Sequence, residues 1–158
     1  NLVTACTDGQ NRPAREAMLL GAALAGKAFA NSPVAAVHAL AYPLGGHFHL
    51  PHGLTNALML GPVLRFNMQA AAPLYAELAD VVGAEGAGNA HDRAGAFVAF
   101  MDDLMNRSGA PRRLRDCDVP RDSLPLLARD AMLQTRLLVN NPVEVSEEDA
   151  LALYREAY

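Results

Sequence analysis

The sequence contains no isoleucine and only four threonines. No stretch alternates apolar and polar residues with β-branched enrichment over the length of a strand, so β-structure is not expected. Its two cysteines, Cys6 and Cys117, are too few and too far apart for a disulfide framework or a cysteine-based zinc site, which fits a reducing cytosol. Thirteen basic residues are outnumbered by seventeen acidic ones, giving a net charge of −4, and they form no long stripe, which argues against nucleic acid as a partner. The longest apolar runs, Met18 to Ala30 and Leu54 to Leu64, are broken by glycine, Lys27 or Pro62. They fall short of the ~18 clean residues a membrane span requires. A soluble, cytoplasmic protein with no membrane partner is therefore expected. No signal peptide, His-Glu-x-x-His zinc motif, glycine-rich phosphate loop, dinucleotide fingerprint or nucleophile elbow is visible.

What is present suits a single helical domain over residues 1–158, since a chain of 158 residues that is 51% hydrophobic can bury a substantial core. The chain starts at Asn1 without methionine and enters a helical pattern almost at once, which reads as a piece of something longer. Leu2 to Thr7 is a short apolar segment closed by the Asp8-Gly9 turn. Asn11 with Pro13 marks the start of a helix reaching about Ala30. Ala22, Gly26 and Ala30 lie on one row of that helix and suggest a tight packing seam in the core. Asn31-Ser32-Pro33 breaks the helix and starts the next, which Pro43 is expected to close.

Leu54 to about Arg65 is apolar all round and should be central, with Pro62 as a kink, and Ala70 to Val82 reads as a separate amphipathic helix. His91 to Met105 repeats apolar residues at spacings of three and four, and Ser108-Gly109 stops it. Arg112, Arg113 and Arg115 fall in a proline-bounded connection and read as a solvated basic patch. Asp122 to about Leu138 reads as one helix, and Ser146 caps the last, with acidic residues in its first turn. The expected architecture is an all-α bundle of about seven or eight helices.

Between Val34 and Asn67 lie four of the five histidines. His38 and Tyr42 are four apart, so a helix would present both on one face. Gly45-Gly46 is expected to bend the backbone before His47, His49 and His52, the last bracketed by Pro51 and Gly53. Neutral imidazole is a metal ligand of choice, and a tight site needs three or four convergent donors. Two groupings suggest themselves. One is the local trio His47, His49 and His52. The other sets His38 against His52, fourteen residues further on, and needs donors from outside this chain. A lone histidine on an apolar helix is more often a hydrogen-bonded core residue than a ligand. The rigid proline and glycine around His52 favour a preorganised site all the same. His91, alone at a loop-to-helix junction, is not assigned a role.

The run His38-Ala-Leu-Ala-Tyr42-Pro-Leu-Gly-Gly, then Leu50-Pro51-His52-Gly53-Leu54-Thr55-Asn56-Ala57 and Pro62-Val63-Leu64-Arg65-Phe66-Asn67, resembles the signature of the iron-containing (group III) alcohol dehydrogenases. Ala14 to Met18 with Ala25 to Phe29 resembles the family's preceding helix, and Asn141-Pro142 through Tyr154 its closing segment. The resemblance implies the helical C-terminal domain of the dehydroquinate synthase-like fold. That domain works beside an N-terminal α/β domain, absent here, which binds most of the NAD(P). It implies His38 and His52 as two of four protein ligands to a divalent metal, Fe(II) or alternatively Zn(II). The remaining aspartate and histidine ligands have no counterpart in this chain.

The implied activity interconverts a small alcohol and a carbonyl compound by hydride exchange with NAD(P), with a homodimer as the expected assembly. The fragment alone is expected to be inactive. Many members carry a histidine where this chain has Tyr42, whose hydroxyl either relays a proton or only closes the pocket. His47 and His49 would line the pocket or lie on the surface. Two rival readings are a metal-independent maleylacetate reductase-like oxidoreductase and a non-enzymatic helical binding module. His52 followed by Gly53 favours the metal-dependent branch.

Overall fold

A computed structural model describes all residues 1–158 and contains helices and no strands. In chain order they are α1 (Leu2–Thr7), α2 (Arg12–Phe29), α3 (Ala36–Phe48), α4 (His52–Val82), α5 (Ala90–Ser108), α6 (Leu124–Ala131), α7 (Thr135–Leu138) and α8 (Glu147–Glu156), with short 3-10 turns at Leu114–Cys117 and Arg121–Ser123. The all-α expectation holds.

Caps fall where the sequence signals them. The Asn11 side chain accepts from the Ala14 amide and Pro13 sits in the first turn of α2, where its missing N–H costs nothing. Ser146 and Asp149 form a reciprocal capping box on α8, and Gly109 ends α5 in the left-handed conformation at φ 75°.

The helix interiors depart from expectation. Helix α3 passes through Pro43, Gly45 and Gly46 and ends only at His49, which takes a left-handed φ of 54°. A proline inside a helix costs about 3 kcal/mol. Leu40 and Leu44 beside it are fully buried, and each such side chain returns about 1.5–3 kcal/mol on burial, so packing outweighs the lost hydrogen bond. The buried Tyr154 hydroxyl of α8 also donates to the Leu40 carbonyl at 2.6 Å.

The same balance fuses the two helices expected over Leu54–Arg65 and Ala70–Val82 into the single 31-residue α4, which runs through Pro62 and Pro73. Conversely, the one helix expected from Asp122 to Leu138 is divided into the 3-10 turn, α6 and α7.

Helix α4 is the central element, packed against α3, α5 and α8. The main core joins Leu40 and Leu44 of α3, Met59 and Val63 of α4, Leu127 of α6 and Leu153 of α8. A smaller core sets Leu64 and Ala79 of α4 against Phe97 and Val98 of α5. At the rim, Arg65 bonds Asp102 of α5 at 2.7 Å and Glu156 of α8 at 2.5 Å. Arg112 bonds the same Asp102 carboxylate at 3.0 Å and its backbone carbonyl at 2.8 Å, so it fastens the connecting loop to α5 instead of belonging to a solvated basic patch.

The expected seam on α2 is not in the core. Ala14 is the helix's buried residue, Ala22, Gly26 and Ala30 are exposed, and so are Leu19, Leu20, Leu24 and Phe29. No helix of this chain covers that row. No helix is long and apolar enough to cross a membrane.

Candidate metal centre

His38 and Tyr42 share a face of α3 because four residues make just over one helical turn. The link from His49 to Pro51 then lays the first residue of α4, His52, against that face. Three rings meet there. The His38 and His52 centroids lie 5.3 Å apart, Tyr42 lies 5.9 Å from His52, and Tyr42 meets His38 edge-on at 6.4 Å.

His47 goes elsewhere. It is nine residues from His38 on an unbroken helix, which at ~100° per residue places it on the opposite face. Its Nε2 lies 2.6 Å from Asp130 Oδ2 of α6. His49 is exposed in the link. The local trio is therefore not assembled, because the bend expected at Gly45-Gly46 does not occur. No group of three or more histidine, cysteine or acidic side chains is gathered closely enough to hold an ion by itself.

The electrostatics of the ring cluster favour neutral imidazole. Partial burial lowers the pKa of His38 below 6.5, and the neighbouring His52 lowers it further. The nitrogen lone pair a metal needs therefore persists to lower pH than in a free histidine. The Asn56 side chain meets His52 at two points. Its Nδ2 donates to the His52 carbonyl at 2.9 Å, which fixes the amide orientation, and lies 3.1 Å from His52 Nε2. An NH₂ group only donates, so it occupies the Nε2 lone pair, and a metal could reach that nitrogen only with the Asn56 amide turned away. The Asn56 Oδ1 atom is buried without a partner.

The donor set fits half of a divalent-metal site. Metal–nitrogen bonds of ~2.0–2.1 Å at a tetrahedral angle would put two imidazole centroids roughly 5 Å apart. The two rings stand at that separation, on different helices, and Tyr42 adds a hydroxyl-bearing ring beside them.

Two cavities flank the cluster. One of about 640 Å³, largely apolar, is lined by His38, Asn56 and Gly53 at one end and by Leu74 and Tyr75 at the other. The reciprocal hydrogen bonds between Asn67 and Asn141, 2.9 and 2.8 Å, tie its wall to the loop before α8. The second, about 490 Å³, lies on the Tyr42 side between Phe29, Val34, Arg136, Leu137 and Asn140. The sequence assigned no role to Arg136, which falls inside the helix expected to Leu138, or to Asn140 just beyond it. The helix is interrupted at Met132–Gln134, between α6 and α7, where no glycine or proline marks a break.

The model of the Fe-containing alcohol dehydrogenase family, C-terminal, matches residues 1–158. Long-chain-alcohol dehydrogenase 1 of Geobacillus thermodenitrificans (strain NG80-2) is 35% identical over 159 aligned residues, covering 100% of this chain and 40% of that protein. The 1,3-propanediol dehydrogenase of Klebsiella pneumoniae is also 35% identical, covering 100% of this chain and 41% of its own length. A crystal structure of 1,3-propanediol oxidoreductase superposes with a TM-score of 0.94 at 35% identity, covering 100% of this chain and 41% of that one. The chain thus spans about 40% of the length of these relatives.

Proposed function

The chain belongs to the Fe-containing alcohol dehydrogenase family, and on that premise we propose that it is the helical, metal-binding part of a longer dehydrogenase. The reaction takes an alcohol and oxidised NAD(P) to an aldehyde or ketone, reduced NAD(P) and a proton, and runs in reverse as a reductase. His38 and His52 hold a divalent metal, Fe(II) by family, and the other donors and most of the nicotinamide contacts come from the part of the relatives' length that this chain does not span. When bound, the metal supplies a Lewis acid for the substrate oxygen and the nicotinamide exchanges hydride with the carbon that bears it.

The chain's own residues prepare that chemistry. His38 offers a neutral lone pair because burial disfavours its protonated form. Asn56 positions the His52 ring through its bonds to Nε2 and to the backbone carbonyl, and the bond at Nε2 would give way to a metal. Tyr42, partly open to solvent and beside both rings, carries the proton between the substrate oxygen and water.

The observation that supports this reading is the approach of two imidazoles from α3 and α4 to 5.3 Å. The test is metal analysis of the full-length enzyme together with NAD- and NADP-linked activity on simple primary alcohols. His38→Ala and His52→Ala should each lower metal affinity by at least about tenfold and abolish turnover. Full metal content and activity in both variants would overturn the reading.

A further inference from the structure

The cavity on the Tyr42 side is walled by apolar surface from Phe29, Val34 and Leu137, and no carboxylate lines it. Arg136 is its one charged residue. The Arg136 guanidinium makes no ion pair or hydrogen bond. Most other arginines are engaged, Arg129 and Arg155 excepted: Arg65 and Arg112 on Asp102, Arg93 on Asp80, Arg113 on Asp116, and Arg115 and Arg121 over the Tyr158 ring. Most of the remaining polar capacity near Arg136 is already used. Asn140 Nδ2 donates to the carbonyls of Val34 and Arg136, both at 3.0 Å, and Asn31 Nδ2 donates to Lys27 O at 2.8 Å. Those bonds pin the short α7 turn to the chain entering α3, which holds Arg136 at the cavity wall.

An arginine fork presented beside apolar surface, with no acid of this chain to answer it, matches a carboxylate or sulfonate geometrically and electrostatically. The same cavity includes Tyr42, whose ring stands 5.9 Å from His52. A small molecule filling it therefore touches both Tyr42, the neighbour of the two imidazoles, and the guanidinium.

We propose that Arg136 selects substrates carrying a second, anionic group: small oxo acids or hydroxy acids whose carboxylate or sulfonate binds the guanidinium while the carbonyl or alcohol carbon sits beside Tyr42. The proposal rests on the dehydrogenase reading above and adds the substrate class to it.

The test compares full-length wild-type enzyme with Arg136→Gln and Arg136→Lys, using 4-oxobutanoate and its uncharged counterpart butanal. Charge-assisted hydrogen bonds contribute roughly 1.5–3 kcal/mol, about 10–150-fold. Wild type should prefer 4-oxobutanoate, and Arg136→Gln should reduce the ratio of kcat/KM for 4-oxobutanoate over butanal by at least about tenfold, chiefly through KM. Arg136→Lys should retain part of the preference. The Arg136 side chain is exposed and unbonded, so both variants should fold. Calorimetry supplies a readout apart from turnover: succinate, an unreactive dianion, should bind at least about tenfold more weakly to Arg136→Gln.

A preference for 3-oxopropane-1-sulfonate over 4-oxobutanoate would assign the anion as sulfonate, and the reverse as carboxylate. Equal wild-type efficiency on butanal and both anionic aldehydes, or a ratio and a succinate affinity unmoved by Arg136→Gln, would overturn the proposal and leave the dehydrogenase reading intact. An enzyme that reduces none of these aldehydes with either nicotinamide would overturn that reading, and the proposal with it.

Discussion

Tyr42 is the residue at which two chemistries diverge. It is 37% exposed and ring-to-ring with both histidines, so it is partly open to water and adjoins the candidate ligand pair. A proton relay through that hydroxyl contributes typically ~10²–10⁴-fold to rate, whereas a ring that merely closes the pocket contributes through its carbon skeleton, which phenylalanine preserves. Tyr42→Phe should therefore lower kcat at least about a hundredfold with metal content unchanged. Single-turnover rates measured against bound metal separate the two roles, and a kcat within about twofold of wild type would assign Tyr42 to packing alone. This residue's position was legible in the sequence, because the i, i+4 relation to His38 survives any detail of the loop that follows. His47 was not. Its direction depends on whether the backbone bends at Gly45-Gly46, and the burial of Leu40 and Leu44 decides that question from outside the motif. Arg136 and Tyr42 share a cavity across ninety-odd residues of sequence, a relation that no local pattern encodes.

At the scale of the element, helix ends were easier to read than helix interiors. Caps are local chemistry: Asn11 and Ser146 each satisfy a free amide three residues on, so their signals need no tertiary context. Pro43, Pro62 and Pro73 carry an equally local signal to stop, yet α3 and α4 continue through them because packing decides. The cap on α8 gives a direct test. The Ser146 hydroxyl donates to Asp149 Oδ2 at 2.6 Å and the Ser146 amide donates to it at 3.0 Å, and these bonds hold the Asp149 carboxyl below its ordinary value of 3.8. A carboxyl depressed in the folded state stabilises the fold above the unfolded pKa, and this contribution is lost as pH falls through the folded value. Ser146→Ala should cost about 1 kcal/mol at pH 7 in denaturant unfolding. It should also flatten the decline in stability below pH 4, since the hydroxyl bond that separates the two pKa values is gone. An unchanged acid limb would show that Asp149 is not the titrating group.

For the whole molecule, the decisive feature is incompleteness of two kinds in one region of the fold. The candidate metal centre offers two imidazoles where a tight site takes three or four protein donors, and α2 leaves Leu19, Leu20, Leu24 and Phe29 uncovered. An apolar row of that size in water binds other apolar surface. Both deficits are answered if the remainder of the polypeptide packs on α2 and brings the outstanding ligands to His38 and His52. The 158-residue chain by itself should then bind Zn(II) with a dissociation constant no tighter than about 10 μM, as expected when solvent completes the shell around two histidines. It should also bind a hydrophobic dye such as ANS, and lose much of that signal in a Leu20→Glu, Leu24→Glu variant. Calorimetry at pH 7 measures the first quantity directly. Nanomolar affinity would mean that this chain carries a full ligand set. Alanine at His47 and His49 would then show whether the missing donors come from the link between α3 and α4 after a rearrangement that breaks the His47–Asp130 contact.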